Sequence, residues 1–127
     1  MEASLDYMKD SLKSLLGKLQ KENTVLAVYL FGSHGTEKET PLSDIDLCLF
    51  TAPLSNKEYL NLMSYGTDKI DISIFDKLPY NIKVEVFKGK PLYVKDKDFV
   101  IRQYAISLRQ YYDSHKYYTK YFEAVSA

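Results

Sequence analysis

A single cysteine, Cys48, is all the chain offers for disulfide chemistry, so no internal bridge can form. It sits in an apolar run, where a thiol behaves as a small buried hydrophobe, and no redox role is expected of it. Charge of one sign is lacking too: Lys+Arg and Asp+Glu are both 17, for a formal net charge of +0. That balance excludes the broad basic field of a protein that grips long DNA or RNA. Arginine is scarce, with only Arg102 and Arg109 against 15 lysines, so few side chains can make the forked phosphate contacts that guanidinium favours. Any bound phosphate must rely heavily on backbone amides and metal. The longest apolar run, Val25 to Phe31, is far too short to span a bilayer. The N-terminus, with Glu2 and Asp6, lacks the basic flank and apolar stretch of a secretory signal. A soluble, cytoplasmic protein with no membrane partner is the expectation.

What is present suits one compact domain over residues 1–127: a mass of 14.7 kDa and 46% hydrophobic residues, enough to bury roughly two-thirds of the unfolded surface. Leu5, Met8, Leu12, Leu15, Leu16 and Leu19 recur at three- and four-residue steps, which predicts an amphipathic helix over 4–22 with Ser4 as cap. Val25 to Phe31 is a β-branched and aromatic run and reads as a strand buried on both faces, stopped by Gly32 and Ser33. Residues 34–43 are polar and broken by Gly35 and Pro41, as in a turn or short helix followed by a loop. Asp44 to Phe50 reads as a second strand that opens on two carboxylates. Ser55 and Glu58 have capping-box spacing ahead of a short helix over about 56–64 that Gly66 ends.

Lys69 to Phe75 alternates, with Ile70, Ile72 and Ile74 on one face, so Asp71 points away from the isoleucines. Pro79 opens a helix to about Lys88 with Gly89 as its stop, and Pro91 to Lys95 reads as a short edge strand. Asp96 or Asp98 can cap a long final helix whose apolar and amphipathic surface comes from Phe99, Tyr104, Leu108, Tyr111, Tyr112, Tyr118 and Phe122.

The chemistry gathers around the first two strands. Residues two apart on a strand share a face, so Asp44 and Asp46 project the same way, about 7 Å apart along the chain. If Asp71 pairs alongside, its Cβ lies roughly 5 Å from one of theirs. Three crowded carboxylates either raise a carboxylate pKa or bind cations. Oxygen ligands suit Mg²⁺ or Mn²⁺, whereas zinc prefers nitrogen or sulfur, and only His34 and His115 carry imidazole. Upstream, Gly32-Ser33 after a buried strand lets backbone amides approach an anion, and Ser33 adds a hydroxyl.

Leu30-Phe31-Gly32-Ser33 followed by Ser43-Asp44-Ile45-Asp46-Leu47 resembles the signature of the DNA polymerase β superfamily of nucleotidyltransferases, and the small size resembles its minimal (MNT) branch. The likeness covers roughly residues 5–95. It implies an α/β (α+β) nucleotidyltransferase fold, palm-like, with a small mixed sheet flanked by helices. The core would span about 5–95, and 96–127 would form a long C-terminal helix available for interaction. Gly32 and Ser33 would hold the nucleotide phosphates, and Asp44, Asp46 and Asp71 would be the catalytic, metal-binding carboxylates. Asp68 and Asp76 are rivals to Asp71 but fall at or beyond the strand ends. One departure is visible: relatives in this branch commonly carry arginines after the Gly-Ser pair, whereas this chain has His34-Gly35-Thr36-Glu37-Lys38. Lys38 either substitutes as a point charge or is solvated beside Glu37 and Glu39, and His34 either touches phosphate or is a neutral turn residue.

By the same resemblance the reaction is transfer of AMP from ATP to a hydroxyl, with pyrophosphate leaving in line and two Mg²⁺ ions about 4 Å apart. Asp44 and Asp46 would bridge the ions, while Asp71 would hold the acceptor-side ion and could receive the proton. MNT proteins are similar to antitoxins paired with HEPN ribonuclease toxins, which they modify on a tyrosine or simply bind. A binding-only antitoxin and a transferase for a small hydroxylated molecule are the other readings. Tyr104, Tyr111, Tyr112, Tyr117, Tyr118 and Tyr121 would present a surface to that toxin or to a second copy, or would pack the last helix on the sheet.

Overall fold

A computed structural model describes residues 2–32 and 45–126, with side chains described for 10–32 and 45–114. Along the chain run α1 (Glu2–Gln20), β1 (Val25–Phe31), β2 (Ile45–Thr51), α2 (Asn56–Met63), β3 (Ile70–Ile74), a 3-10 turn (Phe75–Lys77), α3 (Tyr80–Val86), β4 (Lys90–Val94) and α4 (Lys97–Ser126). The strands form one mixed sheet in the order β3-β2-β1-β4. β1 pairs antiparallel with both β2 and β4, and β2 pairs parallel with β3. The antiparallel β1–β2 pair is the spine, and the parallel β3 returns through α2, as a crossover helix allows.

Alternation along β2 divides the molecule into two cores. Ile45, Leu47 and Leu49 face one side, where Leu15 and Leu19 of α1, Leu62 of α2 and the three β3 isoleucines join them. Cys48 and Phe50 face the other, with Phe75, Val86 of α3 and Val100 of α4. There Phe50 stacks on Phe75 at 4.3 Å between ring centres, and Phe87 meets both edge-on or tilted. β1 departs from a simple alternation. Its register with β2 shifts between Val25 and Ala27, so Val25 and Val28 join one core and Ala27 the other. A bulge of that kind rotates the strand end by one side chain.

Most local signals act as read, with adjusted ends, but α1 starts at Glu2, so Ser4 lies inside the helix rather than capping it. Ser55 accepts from the Glu58 amide at 3.1 Å while Glu58 accepts from the Ser55 amide at 3.0 Å, closing the capping box of α2. Those bonds to the ionised form hold the Glu58 carboxyl below its usual value. Asp96, rather than Asp98, caps α4 by accepting from the Phe99 amide at 3.0 Å. α2 ends at Met63, before Gly66, and Pro79 occupies the cap position of α3 rather than its first turn. Gly89 follows α3 for a different reason from the one expected: a Cβ there would run into the Leu30 carbonyl of β1. β4 lies at a sheet edge, as its proline suggests.

Cys48 is fully buried, and burial pushes its thiol well above the usual range, with the Lys83 charge pulling weakly the other way. The native protein should therefore leave a thiol reagent such as Ellman's unreacted for as long as it stays folded, and react fully in denaturant. Stoichiometric reaction in native buffer would contradict this packing.

Candidate active site

The end of β1 sets the geometry. Gly32 has φ 87°, a left-handed conformation that side chains rarely adopt. A Cβ on Gly32 would lie 2.5 Å from Oδ2 of Asp46, so the carboxylate occupies the space the glycine leaves open. The turn thus brings a bare backbone against a carboxylate.

Asp46 has two cross-strand neighbours. It pairs with Phe31 on β1 and with Asp71 on β3, so Phe31, Asp46 and Asp71 form one row across three strands. Neighbouring strands are about 4.8 Å apart, and paired residues project to the same face, so the two carboxylates stand side by side. Asp71 is exposed and Asp46 half-buried. The isoleucines flanking Asp71 are buried on the opposite face, which is why Asp71 turns outward. The next row on the same face, Tyr29, Cys48 and Ser73, leads into the aromatic core.

Of the expected site residues, the fold brings together Gly32, Asp46 and Asp71. Ser33 and Asp44 lie outside the described residues, as do His34 and Lys38. Asp68 precedes β3 and Asp76 sits in the 3-10 turn, both exposed, and neither shares the Asp46 row. Among the described residues no group of three His, Cys, Asp or Glu stands close enough to hold a metal. Two of the three expected oxygen donors are nevertheless adjacent, one open to solvent, beside a glycine cradle that a methyl group would fill. That donor chemistry fits a hard divalent cation.

One residue near this surface escaped the sequence reading. Lys83 on α3 is half-buried, and its Nζ lies 5.2 Å from the centre of the Phe75 ring. The available signal was its position three and four residues before Val86 and Phe87, which puts it on the helix face turned to the sheet.

Two carboxylates aligned across a parallel strand pair, one of them against a glycine at the end of the neighbouring strand, are a donor set of the kind phosphoryl and nucleotidyl transfer uses to hold metal. The description "Polymerase beta, Nucleotidyltransferase" matches residues 13–98, and the chain belongs to that family. A relative from Methanocaldococcus jannaschii, provisionally named a protein adenylyltransferase, is 34% identical over 73 residues, which are 58% of this chain and 58% of that protein. The chain thus spans little over half the length of the curated relative it matches.

Several solved structures share the fold. A toxin–antitoxin complex with AMP-PNP contains a chain similar at a TM-score of 0.66 and 20% identity, covering 93% of this chain and 98% of that one. A complex of the MNT antitoxin with a tri-AMPylated HEPN toxin from Shewanella oneidensis gives 0.54 and 22%, covering 93% and 95%. A nucleotidyltransferase-like protein from Sulfolobus solfataricus gives 0.55 and 18%, covering 75% and 87%. The mixed sheet, its flanking helices and the long last helix are accordingly those of the nucleotidyltransferase fold. Among the described residues no helix is long and apolar enough to cross a membrane.

Proposed function

We propose that the protein is an adenylyltransferase antitoxin that moves AMP from ATP to a tyrosine hydroxyl of a cognate HEPN toxin. The observation that carries this reading is the alignment of Asp46 and Asp71 across the parallel β2–β3 pair, with Asp46 against the bare backbone of Gly32. The names of the relatives support it, since they include a protein adenylyltransferase and an MNT antitoxin bound to an AMPylated toxin.

In this reading Asp44, Asp46 and Asp71 would hold two Mg²⁺ ions, with Mn²⁺ as a substitute. When bound, such ions neutralise charge on the triphosphate and lower the pKa of the acceptor hydroxyl. The chain's own groups do the rest. Gly32 and Ser33 admit the phosphates to the backbone at the end of β1. Asp71, exposed on the edge strand, faces the incoming hydroxyl and accepts its proton on a carboxylate oxygen. The bond from the deprotonated hydroxyl oxygen to the α-phosphorus forms as the bond to the pyrophosphate oxygen breaks.

The domain is a single unit over 1–127, with its core at about 5–95 and α4 as the interaction element. On α4, Tyr104 packs edge-on against Phe87 at 4.8 Å, whereas Ile101, Ile106 and Tyr112 lie more than half exposed or close to it. This divides the tyrosines between packing and contact; the side chains of Tyr117, Tyr118 and Tyr121 lie outside the described residues. Exposed apolar side chains of this size suit contact with a large partner.

The test is transfer of label from α-labelled ATP to a cognate HEPN protein. Label should appear on a toxin tyrosine only with Mg²⁺ or Mn²⁺ present and be lost with EDTA. Neutralisation of the toxin with no label on it at any metal concentration would favour an antitoxin that acts by binding. Label on a small hydroxylated molecule alone would transfer the reading to that acceptor class.

A further inference from the structure

α3 buries Val86 and lays Phe87 in the aromatic cluster, yet the same helix face carries a lysine. Lys83 is half-buried over Phe75, on the sheet surface that bears Asp46, Cys48 and Ser73. Its charge reaches Cys48, which follows Asp46 by two residues and therefore shares its face. Phe75 stacks on Phe50, two rows beyond Asp46 on this face, and rows two residues apart lie about 7 Å apart along a strand, a span that a swinging four-carbon side chain and a triphosphate tail cover between them. Among the described residues, Lys88 pairs with Glu85 at 3.0 Å and Lys77 rests 4.7 Å from the centre of the Tyr59 ring on α2. Lys83 has a ring face and no carboxylate among them. A lysine in such a place keeps its stem packed and its ammonium available.

We propose that Lys83 is a phosphate-binding residue of the nucleotide site, resting on Phe75 in the free protein and turning to the polyphosphate when a nucleoside triphosphate lies across Asp46 and Asp71. The proposal rests on the nucleotidyl-transfer reading. It gives the site a cation where the residues after Gly32-Ser33 contain no arginine. A ring face holds an ammonium less strongly than phosphate oxygens do, so the anion wins the lysine on binding. Lys83 lies on the helix that leads back from the turn at Phe75–Lys77 to β4, and Gly89 just after that helix abuts Leu30 of β1.

Equilibrium binding of Mg-ATP and of AMP to the full chain tests this, together with steady-state AMP transfer. Lys83→Met should weaken Mg-ATP about tenfold to a hundredfold, the loss expected for one charge-assisted hydrogen bond, and leave AMP within about threefold. KM for ATP should rise by the same factor with kcat little changed, and Lys83→Arg should restore most of the affinity. Equal weakening of ATP and AMP, or a loss that Lys83→Arg fails to restore, would mark a packing role and overturn the proposal. Unchanged ATP affinity in Lys83→Met would overturn it as well. Asp46→Asn serves as the parallel control: if that variant transfers AMP normally, it is the nucleotidyl-transfer reading that fails, whatever Lys83 does.

Discussion

Replacing Asp46 by asparagine should lower AMP transfer by about a thousandfold or more while leaving the fold intact, a loss in the range set by removing a preorganised charge at a reacting phosphate. The substitution keeps size and shape, so the row formed with Phe31 and Asp71 should persist. Only the anionic charge goes. Asp71→Asn should cause a loss of similar size with a different signature. Asp71 is exposed on the edge strand, which the proposed mechanism makes the acceptor side, so its loss should fall on kcat and spare ATP binding. Asp46 lies between β1 and β3 beside Gly32, so its loss should also weaken Mg-ATP. Stability should move the other way. Like charges paired directly across strands are unfavourable by about 0.2–1 kcal/mol, so metal-free protein should melt slightly higher in Asp71→Asn. Single-turnover transfer and thermal melts in EDTA measure both effects. More than a tenth of wild-type transfer in Asp46→Asn would remove the carboxylate row from the chemistry.

The outward direction of the two carboxylates was legible in the sequence because it depends on period two alone. Ile70, Ile72 and Ile74 must be buried, so Asp71 must turn outward; Leu47 and Leu49 force the same on Asp46. Sequence did not reveal that β2 and β3 run parallel and align Asp46 with Asp71 residue for residue, since register is decided by pairing between segments 25 residues apart. The bulge near Val25 was hidden for a related reason. An apolar residue at every position of β1 gives no alternation from which a slip could be noticed. Gly89 was read as a helix stop on local chemistry, whereas its smallness serves the approach of the α3–β4 turn to Leu30. Lys83 gains its place only once α3 is set against the sheet, which no local signal specifies. Local signals specified the elements, and the meeting of elements specified what their residues face.

A methyl group at Gly32 should harm activity more than stability, and the two losses should respond differently to a second change. The left-handed φ of 87° alone costs a non-glycine residue about 1–2 kcal/mol. The added Cβ would also meet Asp46 Oδ2 at 2.5 Å. That oxygen terminates a side chain, so the contact can be relieved by rotating the carboxylate away and need not unfold the strand. The rotation displaces the group whose position the reaction needs, and a displacement near 1 Å can cost about a hundredfold in rate. Gly32→Ala should therefore lose about 1–2 kcal/mol in denaturant unfolding and roughly a hundredfold in transfer. Adding Asp46→Ala removes the steric partner and leaves the backbone strain, so the stability losses should combine less than additively. The shortfall measures the glycine–carboxylate contact. Full additivity would mean that the methyl group and the carboxylate do not compete for the same space, and the cradle at the end of β1 would then have no part in placing Asp46.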